Sequence, residues 1–362
     1  MTEVLTDDNI QRIQETESLE VIIPEVTGEP PGGRGGHTST VVGDRMFVFG
    51  GHYLSASGDF LYSNEMFVFS NSTWKRLRPS PSDPSPRCGH SASLIDDHRL
   101  LVFGGRTFNK RVLRDLWMFD TRTLKWQELA RPNLTTPSAR HGHSCVYYNS
   151  YCYFFGGVGE HGNFFSDLYS LNTKTFEWKK IPCASTPSPR AMHAAVLLPG
   201  GKMLVHGGMG ENGIYLGDMH EMDLEISSWR RVYTKGIPPL PRFGHSLNFY
   251  GNFLILFGGW SGVRRRCVLC GQGEGSHDRS CELSSWTIAA ERGDEVCWRI
   301  DLEHYEFFAF PELSGYKNPK EVLESCFPRY GHSAVFLNNQ LMVFGGWDGG
   351  RSVNTLQIIK HA

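Results

Sequence analysis

Nowhere in its 362 residues does the chain carry an apolar run near the roughly eighteen residues that a membrane-spanning helix needs. Its first twenty residues, Met1 to Glu20, lack both the basic segment and the apolar core of a secretory leader. Membrane insertion is therefore not expected, and the expected compartment is the cytoplasm or the nucleus. Excess charge is also missing. With 36 Lys and Arg against 38 Asp and Glu, the formal net charge is −2, which gives the whole molecule no general attraction for nucleic acid or anionic lipid. A paired cysteine framework is absent too: nine cysteines, an odd number, stand mostly at isolated positions such as Cys145 and Cys152 and suit reduced thiols.

Glycine and aromatic residues are plentiful. Forty glycines and nineteen prolines with 12% aromatic and 40% hydrophobic residues fit many short strands joined by tight turns, since a disordered chain would be poorer in apolar residues. Arg-x-x-His occurs six times, at Arg34/His37, Arg87/His90, Arg140/His143, Arg190/His193, Arg242/His245 and Arg329/His332. A hydrophobic run ending in a glycine pair follows each, at Gly50-Gly51, Gly104-Gly105, Gly156-Gly157, Gly207-Gly208, Gly258-Gly259 and Gly345-Gly346. The copies start 53, 53, 50, 52 and 87 residues apart, so each is one small sheet that can bury its faces only against its neighbours.

The second copy shows the plan: strands over His90 to Ile95 and Arg99 to Phe103, a loop from Arg106 to Arg114, a strand over Leu116 to Phe119, a turn at Asp120 to Thr123, and a last strand around Trp126 to Leu129. Three copies place a tryptophan 21 residues beyond the second glycine, at Trp126, Trp178 and Trp229, and Trp74 stands 23 beyond. A ring at constant register fills the gap between adjacent sheets, and its truncation to alanine costs roughly 3 to 5 kcal/mol.

Together with Asp167-Leu168-Tyr169-x-Leu171-Asn172-x5-Trp178, these motifs resemble the kelch repeat, and the six copies cover nearly the whole chain. The resemblance implies an all-β, six-bladed β-propeller of four-stranded antiparallel blades spanning residues 19–362. The last copy ends before a fourth strand, and Leu19 to Pro24 precedes the first copy as other fourth strands precede theirs. This N-terminal strand is expected to complete the sixth blade and close the ring, which leaves no ragged edge. Residues 1–18 are expected to be disordered or a short helix.

In such a meander the glycine-pair loops gather on one rim, where loop length and content vary. That rim supplies the candidate partner-binding residues Tyr53, Arg106, Phe108, Lys110, Arg111, Arg114, Phe164, Phe165, Tyr215, Trp260, Trp347 and Arg351. Aromatic anchors interleaved with arginine are the composition of a recognition surface. The second-blade loop holds four cations and no acid in nine positions and should favour an acidic peptide or patch. Trp260 and Trp347 have a second reading, as caps on blade packing. The six histidines and arginines, repeated once per blade, are expected to serve the blade itself, the histidines by hydrogen-bonding neighbouring backbone and the arginines with a further option at the channel mouth. His206, which replaces the usual phenylalanine before a glycine pair, is expected to be a satisfied core imidazole.

The fifth blade breaks the period. With Phe307 in the tryptophan slot, the spacing from Gly259 is 48 residues, a surplus of 27 that falls mostly between about residues 261 and 293. This insertion contains Cys267, Cys270, His277 and Cys281, near the spacing of a structural zinc site; the competing reading is a surface insertion with incidental cysteines. Cys297 is expected in the core. No other cofactor is implied.

The resemblance implies a non-enzymatic, monomeric module or scaffold that binds a protein partner, similar to small-GTPase effectors with kelch motifs. A ubiquitin-ligase substrate-receptor subunit is the alternative, although no BTB or F-box segment is legible. A metal-dependent enzyme on the same fold is disfavoured: neither the copper ligands of galactose oxidase nor the Glu-x-x-x-Asp-x-x-x-His segment of iron-dependent specifier proteins can be placed.

Overall fold

A computed structural model describes residues 19–55, 57–130, 135–262, 297–309, 313–314 and 329–361. The four cysteine and histidine positions of the fifth-blade insertion lie outside these residues, as does the 1–18 segment.

Each repeat folds as an antiparallel sheet because its strands alternate short apolar runs with turn residues. Blade two is representative, with strands Ser91–Leu94, Arg99–Phe103, Leu116–Asp120 and Lys125–Ala130 paired in chain order. The second strand is the most deeply buried; Leu100, Leu101, Val102 and Phe103 are all 2% exposed or less, since neighbouring blades cover both of its faces. The innermost strand of every blade touches that of the next, and Ser333–Leu337 of blade six returns to Thr38–Val42 of blade one. The sheets therefore form a closed ring of six.

Closure is made by Leu19–Ile22, which runs antiparallel to the last strand, Leu356–His361, with Val21 opposite Ile359. Val21 is buried in a cluster with Phe253, Ile255 and Phe257 of blade five, so the chain's first strand shares the apolar gap between blades five and six. Three blades carry a fifth strand that the four-stranded expectation lacks. Two-residue segments entering blades one, five and six, at Thr27–Gly28, Lys235–Gly236 and Leu313–Ser314, pair in parallel with the outermost strand and cover its free edge.

The slot aromatics behave as their register predicts. Trp74 packs on Phe344 of blade six, Trp178 on Phe103 of blade two, and Trp229 on Phe155 of blade three, with centroids 4.8–5.2 Å apart. Phe307 holds the same slot in blade five against His206, and Cys297 is buried beside Phe257.

Candidate interaction face

The six motif arginines are buried pins. In every blade the Nη1 group donates to the carbonyl of the first glycine of the pair, at 2.8–3.1 Å, and so holds the loop after the second strand. In blades two, three and four both Nη groups also engage a carboxylate, that of Asp115, Asp167 or Asp218. Burial alone pushes the Asp115 carboxyl up, but hydrogen bonds and charge from Arg87 more than offset it and hold the group below its usual range. Glu65 takes this place in blade one and also pairs with Arg76. These guanidiniums are spent inside the blades, so the channel-mouth option for them is closed.

The motif histidines join the blades through hydroxyls, and the backbone bond expected from sequence is made by His332, whose Nδ1 meets the Arg329 carbonyl oxygen at 3.2 Å. Nε2 of His90 bonds Thr38 at 3.0 Å, His143 bonds Ser91 at 2.9 Å, His193 bonds Ser144 at 2.8 Å, His332 bonds Ser246 at 3.0 Å and His37 bonds Ser333 at 2.8 Å. Each hydroxyl belongs to the residue after the preceding blade's histidine. Blade four has Ala194 there, and His206 Nδ1 meets His245 Nε2 at 3.0 Å instead. His206 is fully buried and only half satisfied, because its Nε2 has no partner.

Beside the histidines runs a second ring, made of backbone. The amides of Gly36, Gly89, Gly142, Met192, Gly244 and Gly331 each donate to the carbonyl of the previous one, at 2.7–2.8 Å, with Gly36 closing on Gly331. All six residues have φ between 54° and 66°, a left-handed conformation that favours glycine, and only Met192 carries a side chain there. This ring floors the face on which the glycine-pair loops stand.

Around that floor the face is divided. An aromatic arc runs over blades four to six, with Tyr215 to Phe243 at 5.2 Å, Phe243 to Tyr330 at 5.7 Å and Tyr330 to Trp260 at 5.7 Å between centroids. It resumes at Trp347, which is 8% exposed and packs on His52 and Phe60. The opposite sector, on blade two, is cationic. Phe108–Lys110 is a 3-10 turn that lifts Phe108 to 65% exposure and leaves Lys110 and Arg111 in solvent. Arg106 is half-buried at the base of this loop, within hydrogen-bonding reach of the Tyr62 hydroxyl and the Cys88 thiol. His52 and His141 near it are held down to about 4, by burial and then by the Arg106 charge, so both are neutral near pH 7.

The remaining candidates separate. Tyr53 and Phe164 are half-buried; Arg114 is half-buried and engaged; Phe165 stacks on Arg140, whose Cζ is 4.4 Å from the ring centroid; Arg351 is exposed and turns back to Asp348. Sequence reasoning did not single out Tyr62, Cys88, His141, Met192, Phe243 or Tyr330. Five of these six occupy the one variable position directly after the motif arginine or the glycine position after that, and variation inside an otherwise constant motif was the signal available. Asp96, Asp97 and His98 bring ligand atoms within 4.8 Å of one another at the turn between the first two strands of blade two, where Arg99 and Arg122 pair with the carboxylates.

A closed ring of six such sheets, pinned by motif arginines and joined by motif histidines, defines a kelch propeller, and the chain belongs to the kelch-repeat family. The KLHDC2/KLHL20/DRC7 Kelch-repeats domain matches residues 57–259 and the Kelch motif matches residues 328–360. Human host cell factor 2 is 28% identical over 359 residues, covering 93% of this chain and 42% of that protein. Mouse host cell factor 1 is 28% identical over 92% of this chain but 16% of its own length, and an F-box/kelch-repeat protein of Arabidopsis thaliana is 32% identical over 75% of this chain and 54% of its own. The chain thus spans under half the length of these host cell factors. Among the described residues no helix is long and apolar enough to cross a membrane.

Proposed function

We propose that this chain is a non-enzymatic, monomeric interaction module of the cytoplasm or nucleus that holds a protein partner on its glycine-pair face, with an acidic segment of the partner lying along blade two. The observation that carries this reading is the raised turn of blade two, where Phe108, Lys110 and Arg111 stand in solvent above the half-buried Arg106. An exposed aromatic beside uncompensated cations suits an acidic partner, and exposed charge of this kind chiefly governs encounter rate and partner choice. Membership of the kelch family supports a binding role in general. Similarity to an F-box/kelch-repeat protein supports a second reading, a substrate-receptor subunit of a ubiquitin ligase, that would use the same face.

The test compares proteins captured from a cell extract by the wild type and by K110E/R111E. The variant should lose the specific set while its unfolding free energy stays within about 0.5 kcal/mol, as for other exposed loop charges. An unchanged captured set would remove blade two from the binding face.

A further inference from the structure

The outer edge of blade two lacks the cover that blades one and five give theirs. In blade one the entering segment lies along the outermost strand, where Thr27 donates to the Ser72 carbonyl at 2.9 Å and Glu29 to the Trp74 carbonyl at 3.0 Å. In blade five Lys235 donates in the same way to Tyr305 at 3.0 Å. Both segments read Gly-x-Pro, with Gly28 and Gly236 each six residues before the motif arginine. Each glycine presses on the slot aromatic: a Cβ would stand 2.0 Å from the Trp74 oxygen or 2.5 Å from that of Phe307, and both have φ above 70°. In blade two the residue six before Arg87 is Pro81, whose fixed negative φ and ring cannot take that place. The entering loop instead folds on itself, with the Ser80 and Asp83 amides bonded to Asp83 and Ser80. It leaves a groove of about 380 Å³ between Leu77 and Pro79 on one side and Leu124 and Trp126 on the other. Trp126 is only half-buried there, whereas Trp74, Trp178, Trp229 and Phe307 are 2–8% exposed. Among the described residues, no backbone amide outside its own sheet reaches the carbonyl of Leu124 or Trp126.

We propose that this groove is a docking slot for an extended Gly-x-Pro segment of another protein, added as a fifth strand parallel to Lys125–Ala130. The chain's own segments in blades one and five show what such a slot accepts: a glycine flat against the aromatic residue, and the amide of the next residue donated to that residue's carbonyl. The 362 residues contain no third Gly-x-Pro, and both copies are already seated in their own blades, which points to a separate partner rather than a second copy. The slot lies on the outer edge of the ring and does not depend on the reading of the glycine-pair face.

The full chain labelled with 15N at tryptophan reports on the slot through the amide and indole signals of Trp126, and W126F identifies them among the nine tryptophans, phenylalanine being the natural occupant of this position in blade five. The probe is the peptide of residues 25–31 with blocked ends, N-acetyl-Glu-Val-Thr-Gly-Glu-Pro-Pro-amide. Its two counterparts carry Ala in place of Gly, or an N-methyl group on the second Glu, and each is titrated to ~10 mM to reach weak millimolar affinities. The Trp126 signals should move saturably with the Gly peptide and bind both counterparts at least roughly tenfold more weakly, because one brings a Cβ against the carbonyl and the other lacks the donated amide. The signals of Trp74, whose slot is filled, should stay in place. Silent Trp126 signals, or equal responses to the Gly and Ala peptides, overturn the docking slot; an equal response to the N-methyl peptide overturns the added strand; and a larger response at Trp74 than at Trp126 overturns the assignment to blade two.

Discussion

Ala194 and His206 are cross-strand partners in blade four, and each departs from its repeat in a way that answers the other. Elsewhere this pair is a hydroxyl opposite a phenylalanine: Thr38 and Phe49, Ser91 and Phe103, Ser144 and Phe155, Ser246 and Phe257, Ser333 and Phe344. In blade four the hydroxyl is missing and an imidazole stands where the ring would be. It returns a partner to His245 from the other side of the pair.

His206→Phe should therefore cost more than a loss of shape, since it leaves the fully buried His245 ring without its bond. The expected destabilisation is about 1 to 3 kcal/mol, the range for a buried polar group left unpaired. The double variant A194S/H206F restores the pattern of the other five blades and should recover most of that loss. Urea unfolding of the two proteins checks this, and equal midpoints for the single and double variants would count against the compensation.

Acid should weaken the fold early. Burial, aided by the motif arginines, holds His37, His193, His206 and His332 down to about 3, and keeps His90, His143 and His245 well below the ordinary value of 6.5. In the unfolded chain these imidazoles take up protons near pH 6.5, while in the folded protein they stay neutral. Their contribution is thus complete above about pH 6.5 and is lost as pH falls toward 3, by about 1.4 kcal/mol per histidine per pH unit at the steepest. Denaturant midpoints between pH 7.5 and 5 should fall steeply; a flat profile would mean that the rings are already charged or hydrated in the native state.

Removing the closing strand should open the ring. A chain beginning at Pro30 loses the antiparallel partner of Leu356–His361 and the buried Val21, and should be less stable by more than about 3 kcal/mol. The bared strand should also drive association, visible as a sedimentation coefficient that rises with protein concentration. A monomer of undiminished stability would show that closure is made elsewhere.

Much of this architecture was legible in the chain because it is repeated. Trp178 and Trp229 sit 21 residues after their glycine pairs, a register that belongs to the fold and not to any one loop, and both rings are found between blades. The glycine-pair loops could likewise be assigned to one rim. The centre of that rim could not: Met192 looks in sequence like one irregular residue in a repeat, and its meaning comes from five glycines contributed by other blades.

By itself, then, the sequence determined the six blades, their strand order, the rings between them and the strand that shuts the circle, because local periodicity and turn chemistry act over a few residues and recur in every copy. Only the tertiary structure decided which polar groups are used up and which remain available. Arg87 belongs to the repeated motif and Arg106 to a variable loop, yet their partners are not written in either pattern: the fold gives Arg87 the carboxylate of Asp115 and leaves Arg106 beside a thiol and a phenol. Whether a charge is neutralised depends on neighbours brought together by ring closure, over separations that no local pattern records.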